Sequence, residues 1–338
     1  MGKTADENRS PVKTFSLIAL LALSSWIAPM AWCAAQPGKV YRIGYLSLPP
    51  FADTPPPPRT AFLRAMEKLG YVQGKNMTIE YRSAEGNVEL LPEAAAELVN
   101  QKPAVIFVSG TPGALAAKRA TRTIPIVMFN SDPVANGIVA SLAKPGGNIT
   151  GVSGVQIRLN LKRLEILKET LPRASRVAVL YTRAHPSHTQ ELTEIGARAK
   201  ELDLALQPFD VTRVEDLQAA FAHMGADRPD AILVIFDYRT MQFRQLIAEF
   251  ANGNKLPTIF GAREAVTAGG LMSYGPSIVE QYARAAIFVD RILNGADPAT
   301  LPVELPTHFE LAINRKTARI LGLRIPEPLL LRTNVLIE

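Results

Sequence analysis

Residues 106–115 read Ile106-Phe107-Val108-Ser109-Gly110-Thr111-Pro112-Gly113-Ala114-Leu115, and this stretch decides the fold. Its apolar first part has the composition of a buried strand, and the part from Ala114 onward that of a helix. Between them Thr111 is a good N-cap, since its hydroxyl can accept a bond from an early helix amide. Pro112 suits the first helical position, where no amide donor is needed. Gly110 and Gly113 keep side chains away from the turn, so a ligand has access to the backbone. Such a turn offers amides and the positive end of a helix dipole to an anionic group. The same residues also suit a plainly capped helix with no ligand, and the rest of the chain weighs between the two.

Outward from this turn the chain alternates. Toward the N-terminus, strands are expected near 40–46, 77–81 and 104–108, with helices at 60–69 and 90–99. Beyond the helix at 114–120 comes a strand at 124–129. Asp132-Pro133 then reads as the start of another helix, through Leu142, by the logic of Thr111-Pro112. Lys144-Pro145-Gly146-Gly147-Asn148 is a break rich in turn residues. An extended run at 149–153 and a helix at 159–171 follow. The alternation then restarts, with strands at 176–181, 204–211, 231–237 and 256–260 and helices at 187–202, 214–224 and 238–251. The last part holds an extended run at 269–275, a long helix at 277–293 and a proline-broken crossing or edge strand at 301–306. A strand at 309–313 follows, then a short helix at 316–321 capped by Asn314. Prolines exclude 325–331 from a helix interior. Strands alternating with helices predict an α/β fold with mostly parallel, doubly wound sheets, and the restart predicts two similar lobes.

The 338 residues are 47% hydrophobic and 20% charged, enough for two ordinary cores. The formal charge is +6, but no Lys/Arg-rich run or zinc-finger pattern stands out, so no nucleic-acid partner is expected. Lys3, Arg9 and Lys13 precede an apolar core from Phe15 to Leu23, and small residues follow up to Ala35. That order is a secretory signal peptide at 1–35, and it places the mature protein in the periplasm. The uncharged run from Phe15 to Gln36 also permits a retained membrane anchor, and bulky Trp32 speaks against a lipoprotein cleaved before Cys33. Cys33 is the one cysteine, so a chain cut after Ala35 forms no disulfide. There is no Walker A sequence and no Gly-x-Ser-x-Gly elbow. Of four histidines, His185 and His188 stand three apart but lack evident partners, so both read as surface residues and no metal or cofactor is expected. The reading is non-catalytic.

Ligands of open α/β sheets bind beyond the carboxyl ends of the strands. In the first half that rule selects 47–51, 109–112 and 130–133, and in the second 182–187, 236–239 and 261–264. Thr111, with Ser109 and Gly110, or Ser187 at its own helix start, can hold a carboxylate. Asp132 or Asp237 can receive an ammonium, although each also suits a helix cap. Phe51, Phe236 and Tyr238 can stack on a flat ligand, and Phe51 can equally cover the first lobe. Arg183, Arg239 and Arg263, with Glu264 beside the last, are ordinary solvated charges unless they meet at one cleft mouth, where they would favour a carboxylate solute.

The chain resembles extracytoplasmic solute-binding proteins of ABC importers, in the group similar to tryptophan/tyrosine-type binding proteins. The motifs that carry the resemblance include 41–46, Leu69-Gly70-Tyr71, Ile79-Glu80-Tyr81-Arg82, Gly110-Thr111-Pro112, Asp132-Pro133-Val134, 144–148, 268–276, Leu301-Pro302-Val303 and 318–323. It implies a type I periplasmic-binding fold, two Rossmann-like lobes joined by three hinge crossings near 149–154, 271–275 and 303–306. Lobe 1 is then 40–150 with 276–302, and lobe 2 with the hinge is 151–275 with 303–338. It further implies a monomer that delivers a small solute, amino-acid-like, aromatic or carboxylate-bearing, to permease and ATPase subunits by cleft closure. A ligand-sensing module feeding a membrane receptor is the alternative. Where the group commonly carries an Asn-Pro-x-Asn-Pro type loop, this chain has Thr182-Arg183-Ala184-His185-Pro186. The difference falls where solute identity is set.

Overall fold

Two parallel-stranded sheets, each covered on both faces, account for most of the chain. The structure is a computed structural model and describes residues 38–338 other than 155. The leader expected at 1–35 therefore lies outside the described residues. The first sheet has the order β2-β1-β3-β4-β5, with β1 Tyr41–Ser47, β2 Met77–Ser83, β3 Val105–Ser109, β4 Ile126–Ser131 and β5 Ile149–Gly154. All its pairings are parallel. Near-continuous apolar runs suit this, because both faces of such a sheet are buried. The helices α1 Pro57–Lys68, α2 Leu91–Asn100 and α3 Thr111–Ala120 connect its strands. The run Pro55 to Pro58 starts α1: Pro57 opens the helix, where a missing amide costs nothing. Phe62 of α1 stacks on Phe107 of β3 at 4.6 Å between centroids, and both are fully buried.

After β5 the chain leaves this sheet. The second has the order β12-β11-β10-β9-β8-β6-β7. In chain order its elements are α4 Gln156–Thr170, β6 Arg176–Tyr181, α5 His188–Glu201, β7 Ala205–Asp210, α6 Val214–Ala226 and β8 Ala231–Val234. There follow α7 Tyr238–Gln242, α8 Arg244–Gly253, β9 Thr258–Phe260, α9 Arg263–Thr267 and β10 Met272–Gly275. The helix α10 Ile278–Leu293 then returns to the first sheet and packs along α1. The chain crosses back through 301–309 to β11 Glu310–Asn314, and ends with α11 Arg315–Leu321, α12 Glu327–Leu331 and β12 Val335–Ile337. Only β10 and β11 pair antiparallel among the described ladders, as a strand returning from the other sheet can.

The crossings are bound to one another. Glu304 donates its amide to Gly151 O at 2.9 Å and accepts from Ser153 N at 2.9 Å, so the third crossing lies along β5. Its carboxylate takes a two-pronged pairing from Arg284 of α10, at 2.6 and 2.7 Å. Gly151 has φ +140, and a Cβ there would stand 2.2 Å from Met128 O, so the close approach of β5 to β4 requires glycine.

Several local expectations are corrected. No helix runs from Asp132 to Leu142: the segment is a series of turns. Asp132 has φ +48, outside the extended region an N-cap needs, and Asn136 Nδ2 ties back to Ser131 O and Asp132 O. Thr111 is not the cap of α3. Gly110 holds that place with φ +86, and Thr111 is the first helical residue. The helix expected over 238–251 is broken at Phe243, near φ −86 and ψ 1, into α7 and α8. Pro328 does sit within a helix, but in the first turn of α12, where it is tolerated. No helix among the described residues is long and apolar enough to cross a membrane.

Candidate functional site

The carboxyl ends of the two sheets meet. The loop after β2 and the start of α7 touch directly: Arg239 Nη2 donates to Gly86 O at 2.6 Å. Gly86 has φ +80, and the Tyr238 hydroxyl lies 3.5 Å from where a Cβ on it would stand. The Tyr238 ring packs against the apolar cluster of the first sheet that includes Leu48, Ala84 and Ala114. The surfaces selected by the strand-end rule therefore face one another, and the two halves are drawn together.

At the centre of this junction is a buried polar network built on α4 and α5. Gln156, Asn160 and Arg163 recur at four- and three-residue steps, which puts them on one face of α4. Arg163 is fully buried. It donates to Tyr274 O at 2.7 Å, to Asn160 Oδ1 at 2.5 Å and to Gln156 Oε1 at 3.1 Å. Burial lowers it to about 10, with the Glu191 charge working the other way, so it remains a cation at neutral pH. Asn160 Nδ2 donates in turn to Glu191 Oε2 at 2.7 Å, and Ser187 Oγ to Glu191 Oε1 at 2.8 Å. Two side chains of α4, Asn160 and Arg163, thus link a charge at the start of α5 to the backbone of β10, next to a crossing.

Asp132 faces this network from the first sheet. Burial first, then the charges of Glu191 and Glu194, push its carboxyl up to about 6, although it accepts a bond from the Gln156 amide. Its Oδ2 is buried without a hydrogen-bond partner among the described residues. The same holds for both amide atoms of Asn130 at the end of β4, for Thr182 Oγ1, for His188 Nε2 and for Glu264 Oε2. Buried polar atoms are nearly always paired, so this set beside the strand ends is the candidate lining for a guest.

The other selected residues divide. Ser187 is buried within the network. Asp237 caps α7 through Thr240 N at 2.7 Å, and its other oxygen lies 3.9 Å from His188 Nδ1. Thr111 is buried, with its hydroxyl turned to Ser131 O at 3.5 Å, and Ser109 lies beside the Tyr282 side chain. Gly110 N is spent on Phe129 O at 2.8 Å. Phe51 packs edge-on against Tyr45 and Tyr81, at 5.3 and 4.8 Å, beneath the Arg59 guanidinium. The three arginines do not converge. Arg183 is exposed and pairs with Asp210 at 3.5 Å, Arg263 pairs with Glu310 at 3.5 Å, and Arg239 reaches Gly86.

His185 and His188 are not surface residues. His188 is fully buried, and their rings stack at 4.2 Å between centroids. Burial, then the neighbouring His188, holds His185 down at about 3, so it stays neutral. The residues that composition and strand ends did not single out are Asn160, Arg163 and Glu191. The signal for Asn160 and Arg163 was the polar stripe along an otherwise amphipathic α4, and Glu191 stands in the first turn of α5.

Comparison with known proteins agrees with this architecture. The family model described as ABC transporter substrate binding protein matches residues 58–336. The tyrosine-binding protein of Clostridioides difficile is 27% identical over 268 residues, which are 79% of this chain and 76% of that protein. A conserved domain protein from Vibrio cholerae superposes with a TM-score of 0.82 at 28% identity, covering 88% of this chain and 100% of that one. The ligand-free, open structure of a substrate-binding protein with adhesive properties from Clostridium difficile gives 0.65 at 26% identity, covering 88% and 99%.

Proposed function

Because the chain belongs to the family of ABC transporter substrate-binding proteins and has their type I fold, we propose that it captures an α-amino acid between its lobes and presents it to its transporter. It is a solute-binding protein, not an enzyme, and its place is outside the cytoplasm. The lobes of this reading are 40–150 with 276–302 and 151–275 with 303–338. The protein works as a periplasmic monomer released by cleavage after Ala35, and the membrane permease and ATPase subunits are its partners.

The observation that carries the choice of solute is the unpaired, buried Asp132 oxygen facing Glu191 across the junction. Two carboxylates brought together in a low-dielectric site repel, and an ammonium between them turns that repulsion into attraction. Closure is then favoured by a cationic group more than by a neutral one, which is the differential affinity that closure requires. The Asn130 amide and the Thr182 hydroxyl supply neutral partners for the rest of the solute. The tyrosine-binding relative supports an aromatic amino acid as the first candidate.

The test is a thermal-shift and calorimetric comparison of tyrosine, tryptophan and phenylalanine with their deaminated analogues. At least one amino acid is expected to raise the melting temperature, and its deaminated analogue to leave it unmoved. Asp132→Asn is expected to weaken that amino acid by about 1.5–3 kcal/mol, the range for a hydrogen bond to a charged group, or roughly 10- to 150-fold. Equal binding of the deaminated analogue would refute the ammonium site.

Arg239 contributes to closure without touching the solute. Arg239→Ala removes its bond to Gly86 O, worth about 1 kcal/mol net. Solute affinity is expected to fall a few-fold, with the change in the dissociation rate. The same substitution at exposed Arg213, which among the described residues pairs with Asp216 in its own helix start, should leave stopped-flow rates unaltered.

A further inference from the structure

We propose that His185, His188 and Glu191 form a binding site for a divalent transition-metal ion of the zinc, cobalt or nickel class. A ring nitrogen from each histidine and a carboxylate oxygen of Glu191 lie within 4.8 Å of one another. Donors around a tetrahedral zinc ion, each about 2 Å from it, stand about 3.3 Å apart, so the trio tightens by at most about 1.5 Å. Imidazole and carboxylate together suit this class of ion, and three protein donors leave a further position open.

The hydrogen bonds around the trio engage Nδ1 of each ring and leave Nε2 for an ion. The Ser187 hydroxyl has one proton and gives it to Glu191 Oε1 at 2.8 Å. His185 Nδ1 is engaged at the start of α5, 3.1 Å from the same hydroxyl oxygen and accepting from Ser187 N at 3.4 Å, which leaves Nε2 as the ring nitrogen not tied to the protein. His188 Nδ1 is held by the Thr182 backbone, 2.9 Å from Thr182 O and 3.1 Å from Thr182 N, with the Asp237 carboxylate at 3.9 Å. His188 Nε2 is fully buried and without a partner among the described residues. A histidine whose second nitrogen is tied to a backbone carbonyl is the usual arrangement of a metal ligand. Glu191 is oriented in the same manner by Ser187 and by Asn160 Nδ2 at 2.7 Å, and each of its oxygens keeps a lone pair. The sequence places two of the three donors, His188 and Glu191, one turn apart on α5, and His185 in the turn before it. A helix start and a stacked pair would not by themselves make a site. The unpaired buried nitrogen is the independent sign of a ligand.

This inference does not depend on the amino-acid reading, since it concerns the protein without solute. The full chain, purified without a polyhistidine tag and stripped with a chelator, is titrated with Zn²⁺ by calorimetry and with Co²⁺ by visible absorption. A single saturable ion per chain is expected, with a Co²⁺ spectrum of four-coordinate character. His188→Ala and Glu191→Gln are each expected to weaken Zn²⁺ at least about tenfold. His223→Ala and His308→Ala, which remove exposed imidazoles, should leave it unchanged. His185→Gln, at a partly exposed position, guards against loss of the fold: its melting temperature in chelator should match the parent while the Zn²⁺-induced rise disappears. No saturable ion in the parent chain overturns the site. So does a loss in His308→Ala as large as in His188→Ala, or parental Zn²⁺ affinity in both His185→Gln and His188→Ala. A failed amino-acid screen alongside a bound ion would refute the solute reading and leave the metal site standing.

Discussion

Arg163→Leu is expected to lower the melting temperature by roughly 10 °C. The side chain is fully buried, and its removal strands Tyr274 O, Asn160 Oδ1 and Gln156 Oε1 while leaving the Glu191 charge without its cation. Breaking a buried charged pair by deleting one partner costs about 3–5 kcal/mol. For a chain of this length each kcal/mol corresponds to about 2–4 °C. Arg163→Lys restores charge but not the planar fork that serves three acceptors at once, so it should recover less than half of the loss. In the double variant Arg163→Leu/Glu191→Leu the stranded charge is gone, and the two losses should fall short of additivity by more than about 1 kcal/mol. Circular-dichroism melts decide it: a single variant melting within 2 °C of the parent would remove Arg163 from the centre of the junction.

Gly275→Ala should yield almost no soluble protein. A Cβ at this position would stand 2.2 Å from Gly261 O, and the atom it meets is backbone in the neighbouring β9 connection. Flexible side chains can retreat from such a contact, but a hydrogen-bonded main chain cannot, so the cost exceeds the about 1–3 kcal/mol of ordinary overpacking. Gly261 is restricted from its own side, with Phe236 Cβ at 2.5 Å and Arg163 Nη2 at 3.0 Å from an added Cβ. The two glycines make the space through which the Arg163 guanidinium reaches Tyr274 O. By contrast Gly196 in α5 has nothing within 4 Å of an added Cβ, and Gly196→Ala should express normally and gain up to about 1 kcal/mol. Soluble yield and near-ultraviolet dichroism of the pair of variants separate a packing clash from a general intolerance of substitution.

The alternation of strands and helices was readable because parallel strands buried on both faces leave long apolar runs, as in β3 and β8, and because Ser277 and Asn314 cap as their chemistry predicts. Asp132-Pro133 misled for a local reason: the pair has the composition of a helix start, but the backbone at Asp132 is left-handed, and nothing in a dipeptide states the sign of φ. Strand ends located the junction, and Ser187, Asp132 and Asp237 do lie there. The arginines were harder to assign, since each one's partner comes from a distant element: Asp210, Glu310 and the Gly86 carbonyl. The most consequential polar groups, Asn160 and Arg163, sit on a helix whose burial on its polar side is a property of the assembled fold. His185 and His188 read as surface residues because a three-residue spacing says nothing of what covers it.

The bond from Arg239 to Gly86 engages a carbonyl of the main chain. No side-chain change at position 86 can abolish it, and no solute is needed to form it. Its effect is therefore the same for a loaded and an unloaded molecule, and it raises the resting share of shut molecules in both. Under the proposed closure mechanism, a transporter that responds to shut receptors would meet some that carry nothing, and its idle ATP hydrolysis is expected to depend partly on this one guanidinium. Lower idle turnover in reconstituted vesicles is therefore the expected counterpart of the weaker solute retention in Arg239→Ala, both arising from the first turn of α7.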